Sequence, residues 1–233
     1  MSDDVTDSAK ARNSSSEIFT GMLSVQSQEI PFAHFVHHCS LENVLRVMIE
    51  EWNLQIPNIM VILVSDNASL SGWIDFKEQK RFVKGLIKAS NATSMWILTS
   101  GLNIGIAKLI GDAFQLDYKK RYAQFCYSQS VENEEIKKTP LIGVCRDAIL
   151  TYNDKFRDLE KNILLQNLGN KPEEHKFDLN VFHTNFLLLQ DRTAHKSGVN
   201  RFLLKLEDAF RSFHPGTSGK YIVLFFHVPT VTV

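Results

Sequence analysis

The segment Thr99–Gly105, "TSGLNIG", places Thr99, Ser100, Gly101, Asn103 and Gly105 between an apolar run and an amphipathic stretch. Glycine lets backbone N–H groups come close to an anion. A helix starting just beyond, near Asn103 or Ile104, would aim the positive end of its dipole at the same point. A strand, a glycine turn and a helix start are the parts of a phosphate site. The spacing fits no standard fingerprint. Gly101, Gly105 and Gly111 are four and six apart, unlike a dinucleotide-binding turn, and no Gly-Lys-Ser/Thr follows as in a P-loop. Spacing alone favours a tight strand-to-helix turn, with a phosphate cradle as the alternative.

Other residues of chemical interest are scattered. "HFVHHC" offers His34, His37, His38 and Cys39, residue types that bind zinc. On a strand, His37 and Cys39 face one way and His38 the other, and no second cluster lies nearby. The segment reads as a half-exposed strand or strand end. "HTNFLLLQDRT" puts His183 before an apolar run and Asp191 after it. A carboxylate after a buried parallel strand commonly faces a ligand. His183 could serve as a base, but no nucleophile pairs with it in sequence. Neither a nucleophile elbow nor a paired-carboxylate motif is evident. Cys39, Cys126 and Cys145 are too few and too far apart for a disulfide framework, and read as reduced thiols in a cytosolic setting.

The elements that must position these residues follow from apolar patterning. Continuous apolar runs at 58–65, 95–99, 141–145, 185–190 and 221–227 predict strands buried on both faces. Between them runs helical periodicity, as in Ile104, Ala107, Ile110 and Phe114, and most clearly in Val199, Phe202, Leu203, Leu206, Phe210 and Phe213. Strands alternating with helices imply right-handed crossovers and a parallel sheet. The fold class is α/β, a three-layer Rossmann-like parallel sheet with helices on both faces. "EIFTGMLSV" and "AHFVHHC" read as small strands ahead of it. Ser40 is placed to cap a helix with the stripe Leu41, Val44, Leu45, Met48 and Trp52. Lys119–Thr139 and Leu150–Lys176 read as surface insertions.

Composition narrows the classes. The 233 residues are 44% hydrophobic and 22% charged, and the 26 basic residues match the 26 acidic ones. A balanced chain of this kind argues against a broad nucleic-acid surface. The polar stretch 1–16 reads as a disordered tail without an apolar signal region, and 17–233 as one domain. No apolar run approaches the ~20 residues of a membrane span.

The order of segments is similar to the N-terminal cytosolic region of melastatin-type transient receptor potential (TRPM) channels, built on the SLOG fold. The similarity runs from about Glu17 to Val228. Its most specific part is "KGLIKASNATSMWILTSGLNIGIAKLIGDA", against a family pattern close to "GL-x-KAA-x-x-TGAW-[IV]-[IL]-TGG-x-N-T-G-V". Gly85, Leu86, Lys88, Ala89, Thr93, Trp96, Ile97, Thr99, Gly101, Asn103 and Gly105 match. The resemblance implies a Rossmann-like SLOG domain of a class that binds nucleotides and nucleotide-derived ligands, ADP-ribose in some members. It also implies membership of a tetrameric cation channel, often calcium-permeable.

The departures fall on the glycine-rich rim. The family's Gly-Gly after the first strand is Ser65 and Asp66 here, and the first glycine of its second pair is Ser100. "APWG" after the third strand is "CRDA". "HSHF" is "HTNF", which keeps His183 and replaces the second histidine with Asn185. "VDDGT" is "LQDRT", which keeps Asp191 and Thr193. The arginine that some members place on the following helix has no secure match, since Arg201 or Leu204 could take its place. A side chain added at a glycine fills space a phosphate would use, and Asp66 would repel it.

These residues lead to the expectation of a non-catalytic, ligand-sensing regulatory module of TRPM type, with an eroded nucleotide rim and no pore in this chain. Thr99, Ser100, Gly101, Asn103, Gly105, Ser65, Asp66, His183, Asp191 and Thr193 are its candidate nucleotide-binding residues. No cofactor and no metal are expected; a nucleotide or ADP-ribose-like molecule would be a weakly held ligand. The expected partners are TRPM channel subunits, without nucleic acid. The expected location is the cytoplasm, at the inner face of the plasma membrane if a channel follows. The alternatives are a nucleotide-processing SLOG enzyme, for which no "PGGxGTxxE" string occurs, and a purely structural channel-assembly domain.

Overall fold

The computed structural model describes residues 18–25, 28–36, 39–65, 76–128, 136–158, 161–165, 176–190, 197–213 and 220–226. The expected tail, Asp66, Asp191, Thr193, His37 and His38 lie outside them. Eight strands form one sheet: β1 (Ile18–Val25), β2 (Gln28–Val36), β3 (Ile59–Ser65), β4 (Met95–Thr99), β5 (Leu141–Arg146), β6 (Asn162–Leu164), β7 (Asn185–Gln190) and β8 (Lys220–Phe226). Their order is β6-β1-β2-β7-β5-β4-β3-β8. The β1–β2 pair is antiparallel and every other pair is parallel.

Alternation along the strands explains the layers. In β3 and β4, Met60, Ile62, Trp96 and Leu98 point to one face. There they meet α1 (Leu41–Arg46) through Val44 and Leu45, and α5 (Ser197–Phe213) through Phe202, Leu203, Leu206 and Phe210. Val61, Leu63, Met95 and Ile97 point to the other, against Val83 and Leu86 of α2 (Phe76–Ala92) and Ile106, Ile110 and Phe114 of α3 (Gly105–Ser128). Strands covered by helices on both faces must be apolar throughout, and all five residues of β4 are buried.

The two leading strands extend the same sheet: β2 pairs in parallel with β7, His34 lying beside Leu188. The structure corrects four expectations. β2 begins at Gln28 and ends at Val36, and His34 is buried where a half-exposed strand was expected. Helix α3 continues to Ser128, so the first part of the stretch read as an insertion from Lys119 is helical. The second supposed insertion holds α4 (Asn153–Arg157) and β6, with Phe156 and Ile163 fully buried against Leu23 and Phe32. Ser40 does precede α1, but its hydroxyl makes no capping bond. Among the described residues no helix is long and apolar enough to cross a membrane.

Candidate functional site

Strand β4 ends at Thr99 and α3 begins at Gly105, so the glycine turn sits at the carboxyl edge of the parallel sheet. Two backbone requirements select glycine here. Gly101 has φ +68° and Gly105 φ +55°, the left-handed region that side chains rarely adopt. Gly101 also packs tightly: an added Cβ would lie 2.6 Å from the Cα of Gly143 and 2.8 Å from the Phe186 ring. Gly143 sits opposite Thr99 in the β4–β5 register and opposite Phe186 in the β5–β7 register. Glycine in mid-strand marks such a close backbone approach. The two glycines and the phenylalanine therefore form a close contact between the turn and strands β5 and β7.

A buried hydrogen-bond chain holds the turn in place. The Gly101 N–H donates to Thr99 Oγ1 at 2.9 Å, and Thr99 Oγ1 lies 2.8 Å from His183 Nε2. His183 Nδ1 lies 3.2 Å from Asn180 Oδ1. An amide oxygen only accepts, so Nδ1 carries the proton and Nε2 accepts from the threonine hydroxyl. Asn180 Nδ2 then donates to Asn103 Oδ1 and Asp112 Oδ1, each at 3.3 Å. The backbone repeats the link: Asn180 N–H donates to Gly101 O and Asn103 N–H to Asp178 O, both at 2.8 Å. Segment 178–183 is thus stapled across the turn.

His183 is neutral in this chain of bonds. Burial pushes its pKa down from the ordinary 6.5 to about 4, partly offset by a hydrogen bond to the Asn180 backbone and by the Asp112 charge. Both ring nitrogens are engaged, which leaves neither open to a substrate. Cys145, buried below the sheet edge, has its thiol pushed far up by burial and by Asp147, so it is no ready nucleophile. Asp147 itself, the third residue of the "CRDA" segment, lies 3.2 Å from His34 Nε2, both buried.

The structure therefore brings together Thr99, Gly101, Asn103, Gly105 and His183, with Ser100 half-buried beside them. Ser65 ends the neighbouring strand, paired with Phe226. Asn180, Asp112, Gly111 and Gly143 belong to the same constellation and are not in the sequence-based set. Gly143 left a signal, a glycine inside the apolar run "PLIGVC". Asn180 left none, because its partners are far away in sequence. Among the described residues no group of three or more His, Cys, Asp or Glu could hold a metal.

Comparison with known proteins gives a consistent result. The family profile described as SLOG in TRPM matches residues 31–233. The chain is 27% identical over 154 residues to transient receptor potential cation channel subfamily M member 6 of Mus musculus, covering 66% of this chain and 7% of the relative. It is 26% identical over 179 residues to the transient receptor potential cation channel trpm of Drosophila melanogaster, covering 76% and 8%. It is 27% identical over 169 residues to subfamily M member-like 2 of Nematostella vectensis, covering 72% and 10%. The chain thus spans a tenth or less of the length of these relatives.

Proposed function

This chain belongs to the family of SLOG domains in TRPM channels, and we propose that it is a regulatory, ligand-sensing module of such a channel. It acts by binding and not by catalysis. Its site lies at the carboxyl edge of the sheet, at the Thr99–Gly105 turn, with Ser65, Asp66, Asp191 and Thr193 as the other residues of the rim and His183 holding the turn through Thr99. The observation that carries this reading is the turn itself. Gly101 and Gly105, both at positive φ, join a central parallel strand to the start of a long helix, where α/β folds place their ligands. The non-catalytic part rests on His183, whose two nitrogens are committed to Thr99 and Asn180.

The ligand class is a nucleotide or an ADP-ribose-like diphosphate, held weakly. Ser65, Asp66 and Ser100 stand where the family pattern has glycine. In a full-length setting the partners are channel subunits, and the module works at the cytoplasmic face of the plasma membrane. A second reading, a purely structural assembly domain, is favoured by one observation: the Gly101 Cβ position is filled by Gly143 and Phe186, which explains that glycine without any ligand. Titration calorimetry with ADP-ribose, on the chain and on a variant with Ser65→Gly and Asp66→Gly, separates the two. Weak binding that strengthens in the variant supports an eroded sensor. Absence of binding in both supports the structural reading.

A further inference from the structure

We infer that the chain has a second anion site, at the opposite edge of the sheet from the glycine turn, selective for small polyphosphates. A groove of about 1000 Å³ opens beside Met95, where β4 begins. Strand β4 is five residues long, so this groove and the Thr99 turn are about 13 Å apart along the strand. Its charged lining consists of Arg121 from α3 and Lys137 and Lys138 from the segment before β5.

The cations are arranged, not merely present. Arg121 Nε is paired with Asp117 at 2.8 Å, and its Nη1 donates to the Lys137 carbonyl at 3.3 Å. This ties the lysine segment to α3. Asp117 also accepts from Asn91 at 3.3 Å, which ties α3 to the end of α2. The Asp117 charge is therefore spent on Arg121, and the two lysines supply the net positive charge. Lys137 Nζ donates to the neutral Gln55 side chain, at 3.5 Å. Lys138 Nζ stands 4.7 Å from the centre of the Tyr118 ring. Among the described residues neither lysine has a carboxylate partner, and no acidic side chain lines the groove.

Two exposed ammonium groups that have no carboxylate partner among the described residues, beside a guanidinium, suit an anion with several charges. The aromatic side chains decide against a nucleoside. Trp96 is 1% exposed and its Nε1–H is already bonded to the Gln55 carbonyl at 3.0 Å. Tyr118 presents its ring to Lys138 and stacks on Tyr122, with 6.1 Å between ring centres. Both aromatic rings of the groove are thus already engaged, which disfavours stacking of a base. The ligand chemistry is therefore phosphate-dense and base-free, as in linear polyphosphates or inositol polyphosphates.

The test is titration calorimetry of the full chain with tripolyphosphate, inositol hexakisphosphate and AMP. Tripolyphosphate is expected to bind more tightly than AMP, and inositol hexakisphosphate against tripolyphosphate tells which source fits the groove. The double variant Lys137→Glu with Lys138→Glu, at two exposed positions, should lose roughly tenfold or more in affinity. Lys138→Gln alone should lose part of it. A control with Lys80→Glu and Lys84→Glu, exposed on α2, should keep full affinity, as should Ser65→Gly with Asp66→Gly. The inference is overturned if tripolyphosphate fails to bind at about 1 mM, if AMP binds as tightly and that binding is lost in the groove variant, or if the α2 control loses as much as the groove variant.

Discussion

At the scale of single residues, the glycine turn is defined by what surrounds it. Gly101 combines positive φ with a filled Cβ position. Gly101→Ala therefore meets strain and overpacking together, and is expected to cost ~2–4 kcal/mol, read from the urea midpoint. A change below ~0.5 kcal/mol would contradict the close approach to Gly143. His183 gives a second test. Its folded pKa is about 4 against an ordinary 6.5, so below pH 6.5 the unfolded chain takes up a proton that the folded chain refuses. Stability from this group is complete above pH 6.5 and is lost as pH falls towards 4. The loss should reach about 2 kcal/mol by pH 5. His183→Gln should be less stable at pH 7 and show a flatter pH dependence over that range. An unchanged slope would mean that His183 is solvated. Of this constellation, the turn residues were legible because glycine spacing is local. Asn180 was not, since its bonds to Asn103 and Asp112 span 77 and 68 residues and an isolated asparagine carries no pattern.

At the scale of elements, burial on both faces made strands legible. The expected 95–99 and 185–190 are the observed β4 and β7; β3 and β5 differ by one residue at one end, and β8 by one residue at each end. Helix α3 shows what patterning misses. Its first turns carry the stripe Ile106, Ile110 and Phe114. Beyond Tyr118 most of the helix is exposed, so intrinsic propensity alone marks the continuation. α4 and β6 are too short for a period to show. Two element-scale predictions follow from the packing. Trp96 joins β4 to α5 by an edge-to-face contact with Phe210, 5.4 Å between ring centres. Trp96→Ala should cost ~3–5 kcal/mol, with a midpoint unchanged within error as the contrary result. Gly111 lies inside α3, where alanine normally stabilises by roughly 0.5–1 kcal/mol. Here an added Cβ would strike Asn180 Oδ1. Gly111→Ala is therefore expected to destabilise by ~1–3 kcal/mol, and a gain in thermal midpoint would show that Asn180 is free to move away.

At the scale of the whole molecule, membership of the SLOG family of TRPM channels places a Rossmann-like sheet in a much longer class of proteins. The remaining question is whether its carboxyl edge still reads a nucleotide. The direct measurement is calorimetric titration of the purified chain with ADP-ribose. The predicted result is a dissociation constant weaker than ~1 µM, which is a binding free energy smaller in size than about 8 kcal/mol, tightening when Ser65→Gly and Asp66→Gly are introduced together. Binding at about 1 µM or tighter by the unaltered chain would contradict the eroded rim.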